Sequence, residues 1–318
     1  MPYQLCVLGC GTMGIAVLSG VLDNLQSPRA LASSSTADES GPSTPMGSLI
    51  LDPNANPASL PDRFVATVNR AESAKKLRRT FADLGPLGST VQVRQAADNV
   101  KSVKESDVIL LCCKPQLAAH LLLQPGMSEA LDGKLLISIL AGTTISMMRE
   151  WVPETCTVVR SMPNTPSKIR EGMTVVSSLD PNDPKTPVQR DILMALFTPL
   201  GRCRFMDEKH FDAVTAVAGS GPAFVCVVLE AMADGGVMMG LPRSEALELA
   251  AQTMQGAARM VLQTGVHPAA LKDSVTTPGG CTIAGLLCLE DGRLRSNMAR
   301  CIQATTQHAA GLGKMGPK

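Results

Sequence analysis

Aromatic side chains are scarce here: one Trp, one Tyr and six Phe in 318 residues, too few to build the stacking platforms of a single-strand nucleic-acid binder. Excess charge is missing too. The chain carries 29 Lys and Arg against 28 Asp and Glu, a net charge of +1, and the basic residues are scattered rather than gathered into a footprint for phosphates. Nucleic acid is therefore not an expected partner. No apolar run approaches the roughly 20 residues that cross a bilayer, so no membrane partner is expected either. A leader-like start is lacking, because an apolar strand begins almost at once in Tyr3-Gln4-Leu5-Cys6-Val7-Leu8. No C-x-x-C or Cys/His cluster has zinc-ligand spacing, so no metal site is expected. The ten cysteines lie mostly within apolar runs, as Cys6, Cys112, Cys113, Cys156 and Cys226 do, where Cys acts as a small hydrophobe. Free thiols point to a reducing compartment, with the cytoplasm as the expected location.

What is present is an ordinary globular composition, 45% hydrophobic and 18% charged, with length enough for two domains. The core must rest on Leu, Val, Ile, Ala and the 17 Met. Short apolar strands are expected at 3–9, 64–68, 91–95, 107–113, 134–140, 156–162 and 173–179. Most are unbroken apolar runs, as in Asp107-Val108-Ile109-Leu110-Leu111-Cys112-Cys113, which is how strands covered on both faces of a parallel sheet read. Helical periodicity falls between them at 12–25, 71–83, 117–123 and 187–197, giving a βαβ alternation. Residues 26–62, rich in Ser, Pro, Ala, Asn and Gly, read as a low-complexity insertion after the first helix. Beyond about 207 the strands stop and 210–239, 242–263, 268–273 and 282–312 read as helices. The expected fold is α/β, a Rossmann-type doubly wound sheet over 1–206 followed by an all-helical substrate and dimerisation domain over 207–318. The helix near 223–239 is apolar around most of its circumference, which calls for burial against a partner subunit.

Gly9-Cys10-Gly11-Thr12-Met13-Gly14 fits G-x-G-x-x-G between a strand and a helix. The first glycine permits the tight turn, the second lets backbone approach a pyrophosphate, and the third allows close helix–strand packing. A Gly-rich turn or a methyltransferase loop would share the pattern; its place at the start of a βαβ array favours a dinucleotide. The end of the second strand selects which one, since an acid holds a ribose 2′-OH and polar or basic groups take a 2′-phosphate. If that strand is 63–68, it ends in Asn69-Arg70 and favours NADPH. Ser48-Leu49-Ile50-Leu51-Asp52 is a rival that would favour NADH, although Pro53-Asn54 follows it in place of a helix. Two further strand ends, Cys112-Cys113-Lys114-Pro115 and Ile139-Leu140-Ala141-Gly142, fall on the edge where open α/β sheets bind ligands. Lys114 reads either as a cofactor contact or as a solvated charge.

The four histidines (His120, His210, His267 and His308) have no carboxylate at suggestive spacing. Ketone reduction needs an acid to protonate the developing alkoxide. A protonated imine accepts hydride and leaves as a neutral amine, so hydroxyls and backbone N–H groups suffice. Val275-Thr276-Thr277-Pro278-Gly279-Gly280-Cys281-Thr282 supplies both ahead of a helix whose N-terminus can hold a substrate carboxylate; it also fits a plain capping turn. A β-hydroxyacid dehydrogenase-like reductase would instead need a catalytic Lys or His in the helical domain, with Lys209 and Lys272 as the candidates near the relevant segments, and a silent dinucleotide sensor would need no such turn.

Three segments carry a family resemblance: Met162-Pro163-Asn164-Thr165-Pro166; Gly219-Ser220-Gly221-Pro222-Ala223 with Glu230 to Gly236; and Leu271 to Thr282. In that order, behind the glycine motif, the chain resembles pyrroline-5-carboxylate reductase over nearly all its length outside the insertion. The resemblance implies hydride transfer from NAD(P)H to 1-pyrroline-5-carboxylate, a small-molecule substrate, giving proline. It implies a homodimer built through the helical domain, and decamers assembled from such dimers. By position it implies that Leu8, Gly9, Cys10, Gly11, Thr12, Met13 and Gly14 hold the pyrophosphate and that Asn69, beside Arg70, meets the 2′-phosphate. Further cofactor contacts are implied for Asn99, Cys112, Cys113, Lys114, Pro115, Ile139, Leu140, Ala141 and Ser274. Substrate contacts are implied for Glu208 as an acid and for Thr277, Gly280, Cys281 and Thr282, with Thr282 catalytic. Cys281 stands where the family commonly has Thr or Ala, Thr277 where Ser is frequent, and Cys10 where Ala is usual.

Overall fold

The computed structural model describes residues 2–26 and 60–312. The chain divides into a first compact unit, reaching Gly219 and including the residues from Gln307 onward, and a second unit, Ser220–Thr306.

The first unit is built on an eight-stranded sheet in the order β3-β2-β1-β4-β5-β6-β7-β8. The strands are β1 (Tyr3–Leu8), β2 (Pro61–Val68), β3 (Gln92–Gln95), β4 (Val108–Leu111), β5 (Leu135–Ser138), β6 (Thr157–Met162), β7 (Gly172–Ser177) and β8 (Gly201–Met206). β1 to β6 pair in parallel, with Val7 beside Ala66 on one flank and Leu110 on the other. Alternate residues of each strand feed opposite layers. Leu5, Val7, Phe64, Val108, Leu110 and Ile137 pack into one buried cluster, and Cys6, Leu8, Val65, Ile109, Leu111 and Leu136 into another. Burial on both faces is why these strands read as unbroken apolar runs. Helices α1 (Thr12–Gln26), α2 (Ala71–Ala82), α3 (Asn99–Lys104) and α4 (Thr186–Phe197) belong to this unit. Leu18, Leu22, Leu77, Phe81, Leu193 and Phe197 are their core residues.

Several expectations are corrected. β7 runs antiparallel to β6, so the sheet is mixed at that end. β8 escaped notice because Arg202-Cys203-Arg204-Phe205 alternates polar and apolar residues, as a half-buried edge strand does. Short helices at Pro86–Ser89, Met127–Leu131 and Ile145–Arg149 are too brief to show a period. The insertion ends before 62, because Pro61 already pairs with Tyr3. The remainder of the insertion at 27–59 and the rival strand ending at Asp52 lie outside the described residues.

The second unit holds α5 (Gly221–Met238), α6 (Arg243–Thr264), α7 (Pro268–Ser274), α8 (Cys281–Asp291) and the start of α9 (Leu294–Leu312). The expected single helix over 282–312 is broken at Gly292 and Arg293, the latter with φ 54°. The expected helix over 210–239 is interrupted too. Phe211–Val214 is α-helical, Thr215–Ser220 is a π-helical turn, and α5 follows. Pro222 explains the wide turn: it has no N–H to donate to Ala218 four residues earlier. That carbonyl instead accepts from Asn164 Nδ2 at 3.1 Å, while Asn164 Oδ1 accepts from the Met173 N–H at 2.9 Å.

α5 and α6 approach closely through small residues, with Ala233, Ala246 and Ala250 buried. A Cβ on Gly236 would stand 3.2 Å from the Ala246 Cβ. Most of the remaining apolar surface of α5 faces outward, Val227 at 66% and Met238 at 81% exposure. Cys226 is exposed as well, against the expectation that it sits in a core. Within the helical stretch Glu208–Met238, an 18-residue segment of mean hydropathy 1.7, 11% of it buried, makes the helix long and apolar enough by length and composition to cross a membrane. This corrects the expectation that no run approaches that length; its charges are few and spaced, so the average stays high.

Candidate active site

The turn after β1 shows what each glycine does. Gly9 has φ 77°, and a Cβ there would lie 2.9 Å from the Cys113 Cβ and 3.0 Å from its backbone, so only Gly lets the β1 and β4 ends meet. A Cβ on Gly14 would stand 2.9 Å from the Val7 side chain, the packing reason for the third glycine. At Gly11 a Cβ would reach only the Gly9 carbonyl oxygen, at 4.0 Å; this is the open position a pyrophosphate requires. The buried Thr67 on β2 holds the turn in place, its Oγ1 accepting from the Gly9 N–H at 3.2 Å and its carbonyl from the Cys10 N–H at 2.7 Å. α1 begins at Thr12, so its free N–H groups open onto the turn.

The strand beside β1 is Pro61–Val68, and Asn69 and Arg70 stand exposed at its carboxyl end, directly before α2. Asn99 is buried at the start of α3 with its Oδ1 unpartnered. Cys112, Cys113, Lys114 and Pro115 follow β4, the last two exposed; the Cys112 N–H reaches the Leu8 carbonyl at 2.9 Å. Ile139, Leu140 and Ala141 follow β5, with the Ile139 N–H donating to Leu111 at 3.1 Å. The unit thus brings Leu8 to Gly14, Asn69, Arg70, Asn99, Cys112 to Pro115 and Ile139 to Ala141 onto the carboxyl edge of one parallel sheet. The residues present fit a dinucleotide.

Glu208 has its own set of partners in this unit. Its Oε1 accepts from Arg160 Nη1 at 3.2 Å and from the Ile145 N–H at 2.8 Å. Arg160 is 2% exposed and stacks on Phe211 with its guanidinium carbon 4.9 Å from the ring centroid. Arg160 and Asn164 were both missed by the sequence reading. The signal for Arg160 was a charge inside the apolar strand Thr157–Met162, where a buried ion needs a partner.

In the second unit, Ser274 ends α7 with its hydroxyl turned back onto the Leu271 carbonyl at 2.7 Å. The turn that follows closes through the Gly280 N–H to the Thr277 carbonyl at 3.0 Å, with Gly279 at φ 67°. A Cβ on Gly280 would fall 2.5 Å from Thr277 Oγ1, so glycine is required under that hydroxyl. Gly280 caps α8 without a side-chain bond, which leaves the first N–H groups of that helix, beginning at Cys281 and Thr282, free for an anion. Cys281 is exposed and Thr282 half-buried. The four histidines are all exposed, and His267 caps α7 through Nδ1. Lys209 and Lys272 are held in ion pairs with their neighbours Asp207 and Asp273, at 3.0 and 2.6 Å.

Comparison with known proteins assigns residues 208–312 to the family described as pyrroline-5-carboxylate reductase dimerisation. Residues 46–142 match the family described as NADP oxidoreductase, coenzyme F420-dependent. The pyrroline-5-carboxylate reductase of Schizosaccharomyces pombe is 45% identical over 97% of this chain and 99% of its own. That of Neurospora crassa is 43% identical over 99% of this chain and 94% of its own. In fold, the Plasmodium falciparum pyrroline carboxylate reductase crystallised with NADP matches at a TM-score of 0.74 and 24% identity, covering 98% of both chains.

Proposed function

Because the chain belongs to the pyrroline-5-carboxylate reductase family, we infer a division of labour in which the first unit selects NADPH and the second holds the substrate. The protein is an NAD(P)H-dependent oxidoreductase that reduces 1-pyrroline-5-carboxylate to proline in proline biosynthesis, and it is a homo-oligomer. Bound NAD(P)H supplies the hydride for the imine carbon.

The observation that carries the NADPH preference is the end of β2. Asn69 and Arg70 stand exposed there, and a 2′-phosphate gains charge-assisted hydrogen bonds from such groups. Gly9, Gly11 and Gly14 shape the pyrophosphate turn, Leu8, Cys10, Thr12 and Met13 complete it, and Asn99, Cys112 to Pro115, Ile139 to Ala141 and Ser274 bind the rest of the dinucleotide. In the second unit the free N–H groups at Cys281 and Thr282 take the substrate carboxylate. The Thr282 hydroxyl donates a hydrogen bond at the substrate nitrogen or carboxylate, with Thr277 and Gly280 shaping the turn. No side chain acts as an obligatory general acid, because the iminium is already protonated. The oligomer is a dimer closed through the helical unit, which assembles further into decamers. Ten free thiols favour a reducing compartment, and we place the enzyme in the cytoplasm; fractionated cell lysates test this.

The cofactor assignment is tested by steady-state kinetics with both nucleotides. Arg70→Ala raises the NADPH KM by roughly 10-fold, the loss of one charge-assisted bond, and leaves NADH almost unchanged. Equal effects on the two cofactors defeat it.

A further inference from the structure

We propose that Glu208 and Arg160 form a positioning pair that locks the 139–144 loop against the cofactor. The proposal rests on the reading that Ile139, Leu140 and Ala141 face NAD(P)H.

Arg160 lies on β6, within a strand whose neighbours are apolar, and its side chain is 2% exposed. A guanidinium keeps its proton under all ordinary conditions, so its charge must be met where it lies. Its Nε and Nη2 have no hydrogen-bond partner. Nη1 and the Phe211 face are its remaining polar contacts, and the carboxylate that Nη1 reaches is Glu208. Glu208 is therefore, through Oε1, the counter-ion of a buried cation.

The same oxygen does a second job. Glu208 Oε1 accepts the N–H of Ile145 at 2.8 Å. Ile145 is the first residue of the helix Ile145–Arg149, and its N–H is one of those a helix cannot satisfy internally. Thr144, the residue before, caps the helix by accepting from the Met147 N–H at 3.2 Å. The loop from 139 to 144 is thus pinned at both ends. At the near end, the Ile139 N–H donates to Leu111 at 3.1 Å and the Leu140 N–H to Ser138 Oγ at 3.3 Å. At the far end stand the Thr144 cap and Glu208. Between them Gly142 takes φ 73°, the conformation that turns the chain back.

One carboxylate oxygen accordingly ties β6, the turn after β8 and the end of a cofactor-side loop to one another. Removing it frees the loop end and leaves Arg160 unpaired in the interior. Removing both charges together avoids the second penalty, since replacing a buried pair by neutral groups costs less than breaking it.

The test measures NADPH dissociation by fluorescence, together with thermal midpoints. It covers Glu208→Ala, Glu208→Gln, Arg160→Met and the double variant Arg160→Met/Glu208→Gln, with Arg70→Ala as the cofactor reference. Glu208→Ala weakens NADPH binding by roughly 10-fold, the loss of one hydrogen bond to a charged group. Glu208→Gln keeps an acceptor for Ile145 and recovers most of the NADPH affinity, at a lowered midpoint. The double variant regains part of that midpoint. If Glu208→Ala does not fold, the Gln and double variants decide.

The proposal is overturned if Glu208→Gln weakens NADPH binding as much as Glu208→Ala does, since an acceptor for the Ile145 N–H then makes no difference. It is also overturned if Arg70→Ala weakens NADPH binding and no variant of the pair does, an outcome that spares the cofactor reading. If Arg70→Ala too has no effect, the proposal falls together with that reading.

Discussion

The two units solve the problem of burying apolar surface in different ways. In the Rossmann unit both faces of the sheet are covered by the chain itself, so Leu5, Cys6, Val7 and Leu8 are all at 0% exposure. In the helical unit the buried hydrophobic residues are three alanines, Ala233, Ala246 and Ala250, while Val225, Val227, Met238, Met239 and Leu287 are exposed. The first unit is complete within one copy; the second is half of a core. At about 25 cal/mol per Å² of apolar area, the outward-facing valines and methionines on α5 are surface available for association, and the dimerisation family match covers that stretch.

A single charge placed on each surface separates these cases, and this is the largest effect expected. Val227→Asp on α5 puts an unpaired carboxylate into the subunit contact. At about 3–5 kcal/mol for an uncompensated buried charge, the dissociation constant rises by more than about 100-fold. Val188→Asp, on an exposed valine of α4 at 51% exposure, leaves assembly and activity within 2-fold. Sedimentation at sub-micromolar concentration reads both. A Val227→Asp protein that assembles as tightly as the parent removes α5 from the interface and breaks the comparison.

The next contrast concerns chemistry. In the proposed site the first unit offers the cofactor a shaped backbone turn, whereas the second offers the substrate hydroxyls and the free N–H groups of α8. Thr282→Ala lowers kcat/KM by ~10- to 100-fold, the loss of a hydrogen bond of ~1.5–3 kcal/mol to a charged group. NADPH dissociation stays unchanged, and Thr282→Ser recovers most of the loss. His120, His210, His267 and His308, all exposed, tolerate Ala within a few-fold. One histidine variant that binds NADPH, stays folded and yet fails to turn over establishes a true acid and sinks the hydroxyl mechanism.

The sequence was most readable where local pattern and tertiary role coincide. Unbroken runs such as Val108-Ile109-Leu110-Leu111 read as two-faced strands because both faces are in fact covered. Gly9 and Gly14 are legible in the pattern because a side chain at either would collide with the strands beside the turn. β8 was invisible because an edge strand needs no apolar run. The π turn before α5 is set by Pro222 together with a side chain 54 residues away, Asn164, which satisfies the released Ala218 carbonyl. Glu208 was found by resemblance, but its partners Arg160 and Ile145 lie 48 and 63 residues away; nothing local announces such a pairing. The exposed face of α5 was legible as apolar, whereas what covers it is a property of the assembly.

The smallest effect uses the thiols, which divide along the same line. Burial pushes the thiols of Cys6, Cys10 and Cys156 up to about 12 and those of Cys113 and Cys203 up to about 11, and moves Cys112 in the same direction. All six belong to the Rossmann unit, whereas Cys226, Cys281 and Cys288 of the helical unit are exposed. A thiol whose folded pKa exceeds its unfolded one holds its proton more tightly in the native state, so its contribution is complete below the unfolded value. Stability therefore holds up to about pH 9 and declines as pH rises toward the folded values of about 11 to 12, by at most about 1.4 kcal/mol per pH unit for each thiol. Denaturant midpoints at pH 7.5, 9 and 10 follow that decline, and Cys10→Ala makes it shallower. The nucleophile in thiol labelling is the thiolate, so a chromogenic disulfide at pH 7.5 modifies Cys281 before Cys10 or Cys112. Labelling of Cys10 ahead of Cys281 in the folded protein reverses the order and shows that the phosphate turn opens more readily than the substrate turn.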